Sequence, residues 1–337
     1  MHKRLVDFLF CPNCHGILKW KIEEETDDGC IYSAIAICTV CEGRYQVREG
    51  VGVFVKEGTK DPWRELYSEL KEFMETEGGK EFLTIPFNEL NPADRLFQSY
   101  MLEINGDLER AKKAEDSAMS EIYSEDYKKC WNGQIQHISR ALSNKQEEEI
   151  IVDLASGRGI LGESVAKSTK AYLIMSDISP YILERDKKVL DKDSVNENID
   201  YLAFDIRSMP FRNHSISTIT TNLGFQNVSD KYGQVDSVFD ELKRVLSGVF
   251  LGVANFYPPS GSINSEKISE LGLGWSFYKD DFLRKFRGKG FEVGLENACK
   301  GRNDPTPSGH YIKDAFIDSL PIESTYTEWY TVTARIK

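Results

Sequence analysis

The sequence predicts an α/β protein whose largest part is a doubly wound sheet, preceded by a small β-rich segment and a helical segment. Residues 149–337 alternate buried apolar runs with helical patterns, which indicates successive strand–helix units. Residues 57–148 carry apolar side chains three to four positions apart, as amphipathic helices do. Residues 1–56 combine short alternating runs with paired cysteines. We therefore expect three units: 1–56, 57–148 and 149–337.

The first unit contains two Cys-x-x-Cys pairs, formed by Cys11 with Cys14 and by Cys38 with Cys41. Each pair presents two thiolates to one ion, and two pairs complete the tetrahedral Cys₄ shell that structural Zn²⁺ prefers. Because cysteine fills all four positions, no coordination site is left for a substrate, and we expect the zinc to be structural. An iron site of the rubredoxin type and four unligated buried cysteines are the alternatives. So small a segment would take much of its folding energy from the metal.

The cysteine pairs lie within three longer stretches: Phe10-Cys11-Pro12-x-Cys14-x-Gly16-x-Leu18, Cys38-x-x-Cys41 and Tyr45-x-Val47-x-x-Gly50-Val51-Gly52-Val53-Phe54. Together they resemble the zinc-ribbon domain of the small activator subunit of tRNA and release-factor methyltransferases, which is also fused to the front of some bacterial methyltransferases. The 23S rRNA guanine-N1 methyltransferases carry a related ribbon, from which this chain departs by its long acidic hairpin and by Cys41 in place of a histidine.

The second unit is predicted to be helical. Its apolar residues recur at helical spacing, for example at Trp63, Leu66 and Leu70. We expect breaks at Gly78-Gly79 and at the prolines, because both residue types disfavour a helix interior; these prolines are Pro86 and Pro92. The unit is also the acidic part of the chain, since residues 57–150 hold 12 basic and 21 acidic side chains.

The third unit opens on the segment that identifies a nucleotide-cofactor site. An apolar run, 150–152, leads into Asp153-Leu154-Ala155-Ser156-Gly157-Arg158-Gly159, the pattern of a buried parallel strand entering a tight turn before a helix. Gly157 and Gly159 allow the backbone to approach a ligand closely. Asp177 ends the next apolar run, where a carboxylate accepts hydrogen bonds from a ribose. The third glycine of the Gly-x-Gly-x-x-Gly dinucleotide loop is absent.

The Asp-x-Ala-x-Gly-x-Gly pattern resembles motif I of class I S-adenosylmethionine (SAM)-dependent methyltransferases. Three later segments also match that family in order: 201–211, in which an acidic residue contacts adenine; 214–228, which passes the methyl group; and 241–248. The resemblance implies a SAM site formed by Asp153, Ala155, Ser156, Gly157, Gly159, Asp177, Ile178, Asp205, Ile206 and Asn222. As alternatives, Asp153 only caps its loop, Asp177 is a surface acid, Asp205 caps a turn, and Asn222 serves in packing or capping.

The methyl acceptor is expected to be a small molecule. Asn222-Leu223-Gly224-Phe225 differs from the Asn/Asp-Pro-Pro-Tyr/Phe motif of amide and exocyclic-amine methylators. The run 224–230 instead resembles the Gly-x-x-Asn-Val-x-Asp segment of quinone-ring C-methyltransferases. C-, O- and N-methylation remain open. A methyltransferase for rRNA or tRNA bases, with the ribbon aiding recognition, and a non-catalytic SAM-binding scaffold are the alternative functions.

No general base is evident in the sequence. Tyr123 and Tyr127 lie four residues apart on a helix before motif I, where relatives place a lid over the cofactor. His310 lies in a Gly/Pro-rich stretch long enough to reach an active site. These three residues are the catalytic candidates, with packing or loop exposure as the alternative for each.

Composition limits the partners and the location. The net charge is −12, and no unit has the basic excess that phosphate-backbone binding usually needs. No apolar run approaches the roughly 20 residues of a membrane span. We expect a cytoplasmic protein that binds a small molecule, with nucleic acid disfavoured and no membrane contact. A protein partner or a homodimer would form through the ribbon or the helical segment.

Overall fold

The structure, a computed structural model, describes residues 1–56, 58–192, 198–259, 261–311 and 319–337. Its strands form one eleven-stranded sheet in the order β1-β2-β3-β4-β7-β6-β5-β8-β9-β11-β10. In chain order the strands are β1 (Leu18–Glu25), β2 (Ile31–Cys38), β3 (Arg44–Arg48), β4 (Val51–Val53), β5 (Ile150–Asp153), β6 (Tyr172–Asp177), β7 (Ile199–Ala203), β8 (Ile216–Asn222), β9 (Leu246–Phe256), β10 (Phe291–Asn303) and β11 (Thr325–Ile336).

The predicted doubly wound α/β fold is confirmed by the strand order. The chain runs from β5 outward to β6 and β7, then returns to β8 on the other side of β5, and these neighbours are all parallel. The sheet is completed by β9, which is parallel to β8, and by the antiparallel pairs β11–β9 and β10–β11. The order of strands therefore reverses between β5 and β8, and open α/β sheets bind ligands beyond the carboxyl ends of strands at such a point.

Helices cover the sheet and form the second unit. They are α1 (Pro62–Glu75), α2 (Glu77–Thr84), α3 (Pro92–Ile104), α4 (Leu108–Ile122), α5 (Glu125–Leu142), α6 (Ile160–Ser168), α7 (Pro180–Lys192), α8 (Gln234–Val245), α9 (Ile263–Leu271), α10 (Gly274–Phe277) and α11 (Lys279–Gly288). None of the helices among the described residues is both long and apolar enough to cross a bilayer.

One predicted helix break is in the wrong place. Gly78 and Gly79 lie inside α2, and the break falls at Thr76, whose hydroxyl accepts a hydrogen bond from the Gly79 N–H at 3.0 Å. A Cβ on Gly79 would lie 2.0 Å from the Phe73 carbonyl oxygen. Glycine is therefore needed there for close packing against the end of α1, and the N-cap of Thr76 starts the new helix.

The four N-terminal strands continue the central sheet. The short strand β4 pairs in parallel with β7, with Val51 opposite Tyr201 and Val53 opposite Ala203. The Phe54 N–H then donates to the Ala203 carbonyl at 2.7 Å. The cysteine-bearing segment is thus joined by backbone hydrogen bonds to the strand beside the predicted cofactor site. The division of the chain into three domains stays a prediction.

A disulfide joins Cys130 to Cys299. These residues are 169 positions apart in sequence and connect α5 to β10, so the last helix of the second unit is covalently tied to the far edge of the sheet. The sequence analysis did not anticipate this bond.

Candidate functional site

The four paired cysteines meet at one point. Their Sγ atoms all lie within 4.8 Å of one another. The Sγ atoms of Cys11 and Cys41 are 3.5 Å apart, and those of Cys14 and Cys38 are 3.4 Å apart. The fold thus brings the four predicted metal ligands together.

The first cysteine pair is docked against the loop that follows β7. The Phe10 N–H donates to the Pro210 carbonyl at 2.9 Å, and the Ser208 hydroxyl donates to the Pro12 carbonyl. A bridge between Leu9 and Phe211 extends the contact. The same loop carries Asp205, so the cysteine cluster supports the predicted adenine side of the cofactor site.

The glycine-rich loop leaves β5 at the switch point and enters α6. Ala155, Gly157 and Gly159 have φ values of 50°, 53° and 75°, so the loop takes the left-handed conformations that a tight turn needs. A Cβ on Gly159 would lie 2.7 Å from Met175 Cε and 3.1 Å from Asp186 Oδ2, which excludes a larger residue. The Ser156 N–H donates to the Ser176 carbonyl at 2.8 Å and fixes the loop to β6.

Two buried carboxylates flank this loop. Asp177 accepts from the Gly157 N–H at 3.1 Å and from the Ser179 N–H at 3.0 Å. Burial raises the pKa of Asp177, while these backbone hydrogen bonds oppose the rise. Asp153 accepts from the Thr220 hydroxyl at 2.7 Å. Both carboxylates are therefore held in place, and Asp177 shapes the loop. Its contact with a ribose stays a prediction.

We expect the Asp153→Asn variant to gain stability relative to the parent as the pH rises. Burial raises the pKa of Asp153 to about 7, against the opposing hydrogen bond from Thr220. An unfolded aspartate titrates near 3.9, so the parent loses stability between about pH 4 and pH 7 and no further above that window. The gain is at most about 4 kcal/mol. Urea unfolding of both proteins at about pH 5 and about pH 8 measures it.

The control for this experiment is the same change at Asp116, which is exposed on α4. Asp116→Asn should change the unfolding free energy by the same small amount at both pH values. A pH-independent difference between Asp153→Asn and the parent would contradict the buried, raised pKa.

The segment after β7 places Asp205 and Ile206 at the half-buried edge of the sheet. Asp205 pairs with Arg207, whose Nε lies 2.9 Å from Oδ1. Burial raises the pKa of Asp205, but the Arg207 hydrogen bonds outweigh it and leave the pKa below its usual value. Arg207 also donates to Gln234 Oε1 at 2.8 Å. Arg207 therefore favours the ionised form of this carboxylate and fixes its orientation. The contact of Asp205 with adenine stays a prediction.

Asn222 ends β8 beside an aromatic cluster of Trp131 and Tyr127 from α5 and of Tyr123. The prediction that both tyrosines lie on one helix is wrong, because Tyr123 takes an extended conformation between α4 and α5. Trp131 Nε1 donates to Asn222 Oδ1 at 2.9 Å. The rings of Tyr123 and Tyr127 are stacked with centroids 4.3 Å apart, and the Tyr127 ring lies 5.9 Å from that of Trp131. Trp131 thus connects the two predicted lid tyrosines to Asn222, at the predicted methyl side.

The remaining predicted residues lie apart from this cluster or at its rim. Ile178 follows β6 and is half-buried. His310 is exposed, and its N–H donates to Asp94 of α3 at 2.8 Å. The next residue, Tyr311, packs its ring on Phe82. The contacts of His310 are therefore with the helical unit, and its catalytic role stays a prediction.

A buried charge cluster was missed by the sequence analysis. Arg158, between the two loop glycines, donates to Glu115 at 2.6 Å and to Glu103 at 2.7 Å. Arg185 of α7 donates to Glu103 at 2.8 Å. Burial would raise the pKa of Glu103, but Arg158 and Arg185 lower it to about 2. The cofactor loop is thus clamped to α3 and α4, and the arginine between two glycines was the sequence signal for it.

A cavity of about 70 Å³ lies beside Leu223, at the carboxyl ends of β8, β9 and β10. Tyr127, Asn255 and Asn303 contribute to its wall. Gln226, in the segment 224–230, does not line it. Instead, its side chain accepts from the Asn255 N–H at 2.8 Å and donates to the Ser276 carbonyl at 2.7 Å, which fixes the end of β9.

The strand order, the glycine-rich loop after β5 and the carboxylates after β6 and β7 form a doubly wound α/β fold with a candidate nucleotide site at its switch point, the arrangement that class I SAM-dependent methyltransferases share. Residues 109–256 match the sequence model of the ubiE/COQ5 methyltransferase family.

Curated relatives include three proteins named ubiquinone/menaquinone biosynthesis C-methyltransferase UbiE. The protein of Wigglesworthia glossinidia brevipalpis is 28% identical over 98 residues, which are 28% of this chain and 39% of the relative. The Methylococcus capsulatus protein is 26% identical over 127 residues, 37% and 50% of the two chains. The Francisella tularensis subsp. holarctica protein is 27% identical over 212 residues, 61% and 80%. The chain thus spans 39% and 50% of the first two relatives' length.

Among solved structures, YcgJ from Bacillus subtilis has 15% identity and a TM-score of 0.48, covering 61% of this chain and 99% of that one. The geranyl diphosphate C-methyltransferase of Streptomyces coelicolor A3(2) has 14% identity and a TM-score of 0.45, covering 61% of this chain and 76% of the other.

Proposed function

We propose that this protein transfers the methyl group of SAM to a small-molecule acceptor. The observation that carries the proposal is the left-handed glycine-rich loop at the β5–β8 switch point, bounded by the ordered carboxylates of Asp177 and Asp205. A nucleoside cofactor needs such an arrangement, in which one acidic group meets the ribose and another the base.

The residues around the loop fit SAM. Asp153 Oδ2 and Ser156 Oγ are buried and have no hydrogen-bond partner among the described residues. Such atoms are costly unless a bound group meets them. In our proposal they face the amino-acid end of SAM, while Ala155, Gly157 and Gly159 let the backbone approach it. Ile178 and Ile206 flank the base. The bound cofactor supplies an electrophilic methyl group.

The chain's own residues align that group with the acceptor. Methyl transfer is an in-line displacement, so its rate depends on holding the nucleophile opposite the sulfonium. Asn222 is held by Trp131, and the rings of Tyr123 and Tyr127 pack on Trp131, where in our proposal they exclude water from the methyl side. We propose Tyr127 as the nearer catalytic candidate because it also lines the cavity beside Leu223.

The acceptor class follows from charge and from the relatives. C-methylation is supported by the C-methyltransferases that the family match and the curated relatives represent. A net charge of −12 disfavours the rRNA or tRNA alternative. The intact loop and its carboxylates weigh against a non-catalytic scaffold whose cofactor fold is vestigial, because such a scaffold has no need of an ordered cofactor site.

We also propose that the cysteine cluster holds a structural Zn²⁺. Tetrahedral coordination at about 2.3 Å places sulfur atoms about 3.8 Å apart, close to the 3.4 and 3.5 Å pairs observed. The N–H groups of Val40 and Cys41 lie 3.4 and 3.5 Å from Cys38 Sγ, and such donors stabilise a thiolate. We also propose a cytoplasmic location. A homodimer or a complex with another protein would form through the ribbon or through the helices of the second unit.

The Asp177→Ala variant should bind SAM at least about tenfold more weakly than the parent. The change removes the carboxylate expected at the ribose and the acceptor that holds the Gly157 N–H, and a factor of ten corresponds to about 1.4 kcal/mol. Isothermal titration of the full chain with SAM measures the effect.

The matched control is Asp116→Ala on the exposed face of α4, which should leave the affinity within about twofold. Absence of SAM binding by the parent would refute the proposed function. Equal affinities for parent and Asp177→Ala would remove Asp177 from the site.

A further inference from the structure

We propose that the disulfide between Cys130 and Cys299 is a reversible redox switch of the predicted methyl side: the bond fixes that side of the site when it is formed, and its reduction loosens it. The inference rests on the proposed methyltransferase function and names a regulation of the same site. The bond joins α5 to β10 and uses none of the four clustered cysteines. At the proposed cytoplasmic location, a disulfide is usually transient and serves catalysis or redox sensing.

The disulfide adjoins the methyl side through the next residue of α5. Cys130 directly precedes Trp131, whose Nε1–H donates to Asn222 Oδ1 at 2.9 Å. The ring of Tyr127, one turn earlier on α5, lies 5.9 Å from that of Trp131. A shift of this turn therefore moves both the group that holds Asn222 and one predicted lid tyrosine. A misplacement of about 1 Å can slow an in-line displacement about 100-fold.

Reduction of the bond requires such a shift because α5 and β10 are in close contact at this point. Cys130 is 1% exposed. A Cβ on Gly301 of β10 would lie 3.2 Å from Cys130 Sγ and 2.9 Å from the Asp126 carbonyl oxygen. Two thiol sulfurs cannot approach as closely as two bonded sulfurs, and a packed interior has little room for the difference. Breaking the bond therefore moves the Cys130 turn away from β10.

Other contacts between α5 and β10 keep the reduced protein folded. Before the disulfide along α5, the Ser124 hydroxyl donates to the Arg302 carbonyl at 2.6 Å. After it, Asn297 Nδ2 donates to the Gly133 carbonyl at 3.0 Å, and Gln134 Nε2 donates to the Asn297 carbonyl at 2.7 Å. The helix is thus held to the strand on both sides of the disulfide while the turn between them shifts, which makes the change local and reversible.

A dithiol reductant reaches this bond from the side of Cys299, which is half-buried on the edge strand β10. A thiolate of the dithiol attacks the Cys299 sulfur, and the disulfide breaks with its electron pair on the Cys130 sulfur, which takes up a proton. The second thiol of the dithiol then releases Cys299 as a thiol and closes a new disulfide. Two electrons and two protons thus pass from the dithiol to the cysteines, and a disulfide oxidant takes them back.

The experiment compares the full chain treated with oxidised glutathione and with dithiothreitol, with thiol alkylation and mass spectrometry to count the bond. NMR follows hydrogen exchange of the indole N–H of Trp131, whose signal is identified by its loss in Trp131→Phe. Reduction should speed this exchange at least about tenfold and weaken SAM binding, measured by titration, at least about threefold. The indole N–H of Trp275, which donates to the Val228 carbonyl at 2.8 Å, should exchange equally in both states.

Two variants complete the design. Cys299→Ser cannot form the bond, so under oxidising conditions it should match the reduced parent in Trp131 exchange and SAM affinity, and dithiothreitol should change neither. Cys30→Ser makes the same change at a free cysteine of the first unit and should respond to dithiothreitol as the parent does. If Cys299→Ser does not fold, the oxidised and reduced forms of the parent decide the question.

The outcomes separate the two proposals. If SAM binds to neither redox form of the parent, the methyltransferase proposal fails, and the exchange at Trp131 alone decides whether the disulfide controls this turn. If SAM binds, the switch is overturned by any of three results: the bond does not form, the exchange at Trp131 or the SAM affinity is the same in both forms, or folded Cys299→Ser responds to dithiothreitol as the parent does.

Discussion

The Arg158→Met variant should lose about 3–5 kcal/mol of unfolding free energy. Arg158 is paired with Glu103 and Glu115 in a site where all three side chains are at most 17% exposed. Methionine fills similar space but leaves Arg185 as the remaining cation of the cluster bonded to both carboxylates. The unfolding free energy falls because the change leaves one buried carboxylate without a compensating charge. Urea unfolding followed by tryptophan fluorescence measures the loss.

Two controls isolate the cluster. Arg140→Met, at an exposed position of α5, should change the unfolding free energy by less than about 0.5 kcal/mol. Adding Glu115→Gln to Arg158→Met removes the uncompensated charge and should recover part of the loss. A loss of less than about 1 kcal/mol for Arg158→Met would show that the charge cluster does not hold the loop to the helices.

The same cluster sets a direction for acid sensitivity. Arg158 and Arg185 lower the pKa of Glu103 to about 2 against the effect of burial, whereas an unfolded glutamate titrates near 4.3. The stabilisation from Glu103 is therefore complete above about pH 5 and is lost as the pH falls towards 2. Arg158→Met should weaken the dependence of the unfolding free energy on pH between about pH 5 and pH 2.

The Cys38→Ser variant should lose its zinc and bind SAM at least about tenfold more weakly. Removing one of four thiolates opens the Cys₄ shell, and metal binding supplies much of the folding free energy of such a segment. The loss reaches the cofactor site because β4 pairs with β7, and because Phe10 and Pro12 contact the loop after β7. Metal analysis measures the loss of zinc, amide hydrogen exchange of residues 1–56 measures the folding of the segment, and titration with SAM measures the affinity.

Cys30→Ser is the matched control. Cys30 is a free cysteine of the same segment outside the four-sulfur cluster, so the change should leave the metal content and SAM affinity as in the parent. Full zinc content in Cys38→Ser would remove that cysteine from the metal site. Loss of zinc with unchanged SAM affinity would show that the ribbon acts independently of the cofactor loop.

Local patterns of the sequence predicted the α/β class and the place of the glycine-rich loop. An apolar run followed by Asp153 and two glycines specifies a strand, a turn and a helix within a few residues, and the structure has β5, the left-handed loop and α6 there. The Cys-x-x-Cys pairs are similarly local, although only folding brings their four sulfur atoms within 4.8 Å.

The errors and omissions concern packing. Gly79 was read as a helix break because glycine has a low helix propensity, but it lies inside α2, where no Cβ fits against Phe73. The cavity wall was also missed, since Asn255 and Asn303 come from separate strands and carry no motif. Neither feature has a signal within one stretch of sequence.

By itself, the sequence determined which segments form turns, which alternate strands with helices, and which carry side chains that can bind ligands. These features depend on neighbours a few positions away. Tertiary structure alone decided that β4 pairs with β7, that Arg158 meets Glu103 and Glu115, and that Cys130 meets Cys299. Those partners lie 43 to 169 positions apart. Their choice depends on which surfaces pack without cavities or unpaired charges, and no local pattern records that.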